Sequence, residues 1–332
     1  MAFSLTVYLW GPAISAMSSQ TQEQSPLRKI ADIPLPGKAV CFDYQSLDAT
    51  SGRLYMPHLN ADELVVFDNE KREVVANLDS FPRVHGVWAV PRMGKVYASA
   101  TGEHQVAVVD MRSLKTIAKP GPVQYPEGIA YVPGPKPIFV SDEQGIADAV
   151  IDATTDTLQT TIPLDGGAGN TVYDPGSGHI LVAVHEKNQL VAIDPATGKI
   201  VGRYPVTGIG IPHGIALDLD ARPAFVAGQE NNKLALVDLT NMQVLATYPV
   251  GEDPDVLAFD PGLKRLYVSA ESGTVTIFRE QGRALVNEGS VFMPHAHTVS
   301  VNPKTHLVYF PLETSMAVPC CGLCNRLRRI NY

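Results

Sequence analysis

The histidines and carboxylates of this 332-residue chain fall at a regular spacing. Seven polar residues follow one another at intervals of 42, 42, 43, 43, 42 and 42 residues: Asp43, His85, Glu127, Asn170, His213, Asp255 and His297. Imidazole and carboxylate groups are common ligands of transition metals in proteins. A merely hydrated site would be expected to carry a mixture of serine, threonine, asparagine and aspartate. The set therefore favours a site for one divalent metal ion.

Each member of the set has an expected chemical role. The predicted metal ligands are three histidines: His85, His213 and His297. Three imidazoles and one open position are typical of a catalytic metal. Asp43 and Asp255 are expected to orient the second ring nitrogens of the histidines. Glu127 is the candidate general base, with Asp255 as an alternative, and Arg83 is the candidate clamp for an anionic substrate group.

Other titratable residues are expected near the same place. His295 stands two residues before His297 in the stretch PHAHTVSVNP, and its removal is predicted to leave most of the metal bound. Polar turns elsewhere contribute a further group: His58, Asp142, Glu143, His185, Glu186, Glu230 and Glu271. Each of these alone is typical of a solvated loop, but together they favour a cation. A hydrated channel without metal remains the alternative.

A repeated unit positions these residues. Seven segments share an aliphatic-aromatic pattern: GRLYMPH (52–58), GKVYASA (94–100), KPIFVSD (136–142), GHILVAV (178–184), RPAFVAG (222–228), KRLYVSA (264–270) and HLVYFPL (306–312). A polar turn and a second apolar run follow each segment. The turn aspartates Asp68, Asp110, Asp152 and Asp194 recur every 42 residues, and Asp238 follows after 44. Four short strands per unit of this length are typical of a β-propeller blade.

The two ends of the repeat array complement each other. The stretch LRKIADIPL (27–35) matches the fourth strand of a unit, and the seventh unit lacks such a strand. The sequence therefore predicts an all-β, seven-bladed β-propeller whose ring is closed by the N-terminal strand, which leaves no open sheet edge. The first strand of each blade would line the axis, with the seven polar residues at the channel mouth.

The strand pattern also resembles that of the YVTN-repeat propellers. The stretches LYVSAESGTVTIF, VYASATGEHQVAVVD and LVAVHEKNQLVAID carry this resemblance, which covers nearly all of the chain after residue 27. It implies the propeller fold. It implies no particular activity, because that family has no single one.

The composition and the N-terminal segment bear on possible partners and on the location of the protein in the cell. The net charge of −8 provides no basic face for nucleic acid. The apolar run at residues 3–14 is too short to span a bilayer and resembles a secretory signal. Residues 1–24 are therefore predicted to be a signal-like segment and linker, and residues 25–332 the propeller. A periplasmic or secreted location is expected, with the cytoplasm as the alternative and no transmembrane segment.

Cysteines occur in two places in the sequence. The last 18 or so residues depart from the repeat and hold Cys320, Cys321 and Cys324. These residues are consistent with a redox or metal pair, or with a shifted reading frame at the end of the gene. Cys41 is predicted to be a buried, reduced thiol in the first inner strand.

Two classes of function remain open. The first is a metal-dependent enzyme that acts on a small molecule at the channel mouth, either a hydrolase of the lactonase kind or a copper or iron oxidoreductase. The second is a non-catalytic propeller that serves as a binding module or partner subunit in the cell envelope. The sequence contains no G-x-S-x-G elbow, phosphate-binding loop or dinucleotide fingerprint.

Overall fold

The computed structural model describes residues 25–134, 137–313 and 320–326, the last range by its backbone alone. The predicted signal-like segment at residues 1–24 lies outside the described residues. Within the described part, no helix is long and apolar enough to cross a membrane. Three single-turn 3-10 helices lie in turns: Leu59–Ala61, Pro91–Met93 and Thr101–Glu103.

The strands pair into four-stranded antiparallel sheets. Strand β1 (Leu27–Pro34) opens the described chain. Blade 1 consists of β2 (Ser46–Asp48), β3 (Arg53–His58), β4 (Glu63–Asp68) and β5 (Glu73–Leu78). Blade 2 consists of β6 (Val84–Val90), β7 (Lys95–Ala100), β8 (Gln105–Asp110) and β9 (Thr116–Ala118). Blade 3 consists of β10 (Pro126–Tyr131), β11 (Pro137–Asp142), β12 (Ala147–Asp152) and β13 (Thr157–Pro163).

Three further blades follow the same order. Blade 4 consists of β14 (Ala168–Asp174), β15 (His179–Val184), β16 (Gln189–Asp194) and β17 (Lys199–Pro205). Blade 5 consists of β18 (Pro212–Leu217), β19 (Pro223–Gly228), β20 (Lys233–Asp238) and β21 (Gln243–Pro249). Blade 6 consists of β22 (Pro254–Asp260), β23 (Arg265–Ala270), β24 (Thr274–Gln281) and β25 (Ala284–Phe292).

The remaining sheet is composite, because it joins the two ends of the chain. It contains β26 (Ser300–Asn302), β27 (Leu307–Leu312), β28 (Cys320–Arg326) and β1, in that order from the axis outward. The cysteine-containing tail, which departs from the repeat in sequence, thus supplies a strand that pairs with β27 and with β1. The prediction of a β-propeller is confirmed. Six blades each consist of four strands that are consecutive in the chain. The sequence predicted seven.

Burial explains the strand pattern. The second and third strands of a blade are apolar almost throughout, as in β7 and β8, because neighbouring blades cover both of their faces. The fourth strands, such as β5 and β17, alternate between exposed and half-buried residues. One core cluster joins Tyr55 and Val66 of blade 1 to Val87 and Ala98 of blade 2, so that the core lies between blades.

The innermost strands share a local irregularity. In blades 2 to 6 the pairing register between the first and second strands shifts just after the first strand begins, between Val84 and Val87 in blade 2. A shift of this kind changes the direction in which a side chain points near the end of a sheet. Glycine is required beside it, because a Cβ atom at Gly86 or Gly214 would overlap the backbone of the next blade. The repeat thereby brings one side chain per blade to the axis.

Ion pairs join neighbouring blades near the far end of the innermost strands. Three of these pairs are Asp174 with Arg222, Asp218 with Lys264, and Asp260 with His306. Burial alone would raise the pKa of Asp174, but the hydrogen bonds from Arg222 lower it to about 2. These pairs fix the angle between blades at the end of the molecule that lies away from the polar ring.

Candidate functional site

The structure gathers most of the predicted polar residues into one ring. Six of them are buried: Asp43, His85, Glu127, His213, Asp255 and His297. Four stand at the shifted start of an innermost strand, and Asp43 and His297 stand in the segments that lead to β2 and β26. Because one blade contributes one residue, ring neighbours come from consecutive blades. We call these six residues the inner ring.

Blade 4 departs from the predicted register. Its strand pairs Ala168 with Val184 and Thr171 with Val182, as blade 3 pairs Pro126 with Asp142 and Ile129 with Val140. Gly169 therefore occupies the place of Glu127, and Asn170 occupies the place of the following glycine. The prediction that Asn170 belongs to the ring was wrong by one residue. A sequence signal existed, since the turn aspartates are spaced by 42 up to Asp194 and by 44 to the next.

A histidine from a turn fills the gap that Gly169 leaves. A Cβ atom at Gly169 would lie 2.7 Å from Nε2 of His185 and 3.0 Å from Nδ1 of His213. In its absence, these two ring nitrogens lie 3.0 Å apart and share a hydrogen bond. Burial, followed by the charge of His213, lowers the pKa of His185 to about 4. His185 therefore contacts His213 and takes the place of the missing blade 4 side chain.

Three ring residues form the most compact group. His297 donates a hydrogen bond from Nε2 to Oδ2 of Asp255, and the same nitrogen lies 3.8 Å from Oδ1 of Asp43. One ligand atom from each of the three residues lies within 4.8 Å of the other two. Among the described residues, this is the group whose atoms are close enough to hold one metal ion. It includes His297 but neither His85 nor His213.

Asp255 links two histidines. Its Oδ1 atom lies 3.2 Å from Nε2 of His213 and accepts a hydrogen bond of 3.0 Å from the Tyr44 hydroxyl. Burial alone would lower the pKa of His213, but the charge of Asp255 raises it to about 9. The pKa of His297 is likewise raised, while the two histidines hold the pKa of Asp255 below its usual range against the effect of burial. In this metal-free state the protonated imidazoles of His213 and His297 neutralise the charge of the Asp255 carboxylate. A bound metal ion would provide the positive charge instead.

His85 has partners on both sides. Its Nδ1 atom donates to the carbonyl oxygen of Arg83 at 2.8 Å, and its Nε2 atom lies 3.4 Å from the Tyr125 hydroxyl. Burial lowers its pKa, which the charge of Asp43 partly opposes. These contacts leave His85 beside the compact group without joining it.

Glu127 is a buried acid. Burial raises its pKa to about 8, although the charge of His213 acts to lower it, and Oε2 has no hydrogen-bond partner among the described residues. Two acids from the turns also approach the ring: Glu143 lies 3.7 Å from His185, and Glu271 lies 3.5 Å from His297. His58 makes other contacts, because it is fully buried, stacks on Phe42 and lies 3.4 Å from Glu63.

A second set of residues surrounds the inner ring. It stands two positions earlier in each blade: Cys41, Arg83, Tyr125, Gly167, Ile211, Asp253 and His295. Four of these have left-handed backbones: Arg83, Ile211, Asp253 and His295. We call this set the outer rim. His295 belongs to it, with 62% of its side chain exposed and 3.7 Å from Glu313. The two histidines of PHAHTVSVNP therefore occupy different layers.

Cys41 differs from its prediction. It is half-buried rather than buried, and it lies in the segment before β2 rather than in a strand. Its Sγ atom is 2.9 Å from Nδ1 of His297, on the opposite edge of the imidazole from Asp255. The thiol is free, as expected, and burial raises its pKa despite the neighbouring His297.

The fold and the ring together define a β-propeller with a buried cluster of histidines and carboxylates at one end of its axis. A solved structure of hydrazine synthase from Kuenenia stuttgartiensis is similar, with a TM-score of 0.73 over 87% of this chain and 96% of that chain. The two sequences are 16% identical, so the likeness shows the fold alone. No family model and no curated protein matches the chain, and membership of the YVTN-repeat family stays a prediction.

Proposed function

We propose that this β-propeller is a metal-dependent hydrolase that binds one divalent ion through Asp43, Asp255 and His297. The observation that carries the proposal is the convergence of three buried ligand atoms within 4.8 Å of one another. Two carboxylates and one imidazole leave coordination positions open for water and substrate, as catalytic metal sites do. A mixed oxygen and nitrogen set suits zinc, manganese or iron.

The electrostatics of the group support a cation. Buried carboxylates need a compensating charge, and a protonated His297 provides one in the metal-free state. Because a metal binds only the neutral imidazole, binding must release the proton of His297, so that affinity is expected to rise with pH. Asp255 also contacts His213, which would hold that carboxylate in place as an outer partner.

The remaining ring residues supply the other parts of a hydrolysis. The metal would lower the pKa of a bound water and make it nucleophilic. Glu127, with a pKa of about 8, is mostly protonated at neutral pH and suits proton donation to a leaving group better than the general-base role expected from the sequence. His297 is retained from the three predicted ligands, with Asp43 and Asp255 in place of His85 and His213.

Metal content is the test. After reconstitution with zinc or manganese and dialysis, mass spectrometry should find about one equivalent in the wild-type protein. Asp43→Asn, Asp255→Asn and His297→Ala should each lose the metal. His295→Ala is the matched control in the same loop and should keep it, as should His85→Ala. A wild-type protein without metal, or equal content in all variants, would contradict the proposal. If His85→Ala also lost its metal, the three-histidine site predicted from the sequence would be favoured instead.

We also propose that the composite sheet is the seventh blade and that β1 closes the ring. Strand β26 packs against β22 of blade 6 and β2 of blade 1, which supports a place between them. The register pairs Lys29 with Cys324, and Arg28 with Asn325. A cysteine placed at position 29 would therefore stand directly opposite Cys324 in the pairing, and one at position 28 would not.

Disulfide formation tests this closure. Lys29→Cys should form a disulfide with Cys324 under mild oxidation, as peptide mass spectrometry can detect. Arg28→Cys is the control and should remain a free thiol. Equal cross-linking of the two variants, or of neither, would mean that β1 does not hold this register.

A further inference from the structure

Arg83 is a cation of the outer rim that forms no ion pair with a carboxylate in the described part of the chain. Among the described residues its side chain donates one hydrogen bond, of 3.0 Å, to the Tyr125 hydroxyl, and its guanidinium lies 5.5 Å from the centre of the Tyr125 ring. Yet buried carboxylates belong to the inner ring, and the N–H of Glu143 donates to the carbonyl oxygen of Tyr125 at 3.2 Å. A guanidinium has five N–H donors, so most of those of Arg83 remain open to a ligand.

The backbones that carry these two side chains are held in place. Arg83 has a left-handed backbone with φ of 48°, and its N–H donates to Oδ1 of Asp62 in the preceding blade at 2.8 Å. The N–H of Tyr125 donates to Oδ1 of Asp142 at 2.7 Å. The same conformation recurs at the corresponding position of other blades, at Ile211, Asp253 and His295, so it belongs to the repeat. The rim therefore presents the pair from fixed loops.

We propose that the Arg83 guanidinium and the Tyr125 hydroxyl bind the carboxylate of the substrate, which is then a small organic monocarboxylate. This inference rests on the proposed function, in that the metal and Arg83 hold the same molecule. The two subsites are neighbours, because the Tyr125 hydroxyl lies 3.4 Å from Nε2 of His85. The strand of His85 is in turn joined to the segment of Asp43 by a hydrogen bond of 3.2 Å from the N–H of Val87 to the carbonyl oxygen of Tyr44.

Charge favours a carboxylate over a phosphate. A planar carboxylate matches the paired donors of a guanidinium and carries one negative charge. A phosphate monoester carries nearly two charges at neutral pH, and it would lie close to Glu143, whose N–H donates to the carbonyl oxygen of Tyr125 at 3.2 Å. Repulsion from the Glu143 carboxylate is about twice as large for two ligand charges as for one.

Titration calorimetry with three probes tests the inference. The zinc-saturated full chain should bind benzoate about fivefold more tightly than benzamide, because an ion pair with an exposed guanidinium contributes up to about 1 kcal/mol. It should bind phenyl phosphate more weakly than benzoate. Arg83→Gln should reduce benzoate affinity by about fivefold with zinc content unchanged, and Tyr125→Phe by a smaller factor. Arg92→Gln, an exposed arginine in the turn after β6, is the control and should bind as wild type does.

Several outcomes would overturn the inference. They are equal benzoate affinity in wild type and Arg83→Gln, no benzoate binding at millimolar concentrations, and tighter binding of phenyl phosphate. The same titrations on metal-free protein separate this inference from the proposed function. A protein that takes up no zinc on reconstitution but binds benzoate through Arg83 would contradict the metal site and leave the carboxylate subsite standing. A protein that binds zinc but whose benzoate affinity does not depend on Arg83 would support the metal site and contradict the carboxylate subsite.

Discussion

Asp148→Asn is expected to stabilise this protein by about 4 kcal/mol at pH 8 and to have little effect near pH 4. Burial raises the pKa of Asp148 from 3.8 to about 7, although a hydrogen bond of 3.2 Å from Thr171 partly opposes this. One unit of pKa corresponds to about 1.4 kcal/mol, so about three units give the stated figure. Asparagine keeps the shape and the hydrogen bond and removes the charge that must be buried.

The pH window follows from the direction of the shift. Between pH 3.8 and about 7 the folded state holds a proton on Asp148 that the unfolded chain has released. Stability therefore falls as the pH rises through this range and stays low above it. Urea unfolding of both proteins at several pH values measures the difference. Asp152→Asn, on the same strand with its side chain at the surface, is the control and should not reproduce this pH trend.

The position of Asp148 explains why the effect is large. It is the second residue of the third strand of blade 3, and its Oδ1 atom has no hydrogen-bond partner in the described part of the chain. The same position in five other blades holds buried aliphatic residues: Leu64, Val106, Leu190, Leu234 and Val275. Parallel unfolding curves for the two proteins across pH would show that Asp148 is solvated in solution and would contradict the prediction.

The repeat made the ring predictable from sequence. A unit of constant length reproduces the same shift at the start of each innermost strand, so residues 42 apart meet at the axis. Asn170 was placed in the ring wrongly because ring positions 169 and 213 are 44 residues apart, two more than the usual 42. The predicted spacings of 43 and 43 spread these two extra residues over two blades. His185 enters the ring because Gly169 leaves space, and such a space is visible in three dimensions alone.

The composition of the metal group follows from the order of the blades. His297 lies next to Asp255 of blade 6 and Asp43 of the segment that leads to blade 1, as the contacts of its Nε2 atom show. His85 and His213 stand one blade further on, in blades 2 and 5. A preference for histidine as a ligand led to the three-histidine prediction, whereas ring geometry favours adjacent donors. The contact between Cys41 and His297 has the same origin, because it joins residues 256 apart that adjacent sheets bring together.

Asp255→Asn is expected to destabilise the metal-free protein by about 3–5 kcal/mol at pH 6, the usual cost of removing one partner from a buried ion pair. His213, His297 and Tyr44 all direct a hydrogen-bonding group at this one carboxylate. Asparagine has nearly the same shape but no charge. The substitution therefore leaves two buried imidazoles that can no longer hold their protons favourably.

The size of this loss should depend on pH, which separates the effect of the Asp255 charge from that of its hydrogen bonds to neutral partners. Although burial acts to lower it, the pKa of His213 in the folded protein is about 9, above the ordinary value of 6.5. A raised histidine pKa contributes stability that is complete below pH 6.5 and is lost as the pH rises to about 9. The penalty of Asp255→Asn should therefore be largest at pH 6 and should shrink towards pH 9.

Urea unfolding in the presence of EDTA at pH 6 and pH 9 measures this penalty without interference from bound metal. Asp253→Asn is the matched control, since it removes a carboxylate from the outer rim two residues away, and it should leave the unfolding curve at pH 6 nearly unchanged. A penalty of equal size at both pH values would mean that Asp255 acts as a hydrogen-bond acceptor for neutral partners rather than through its charge. In that case the histidines would be neutral in the metal-free ring, and metal binding would release no proton from His297.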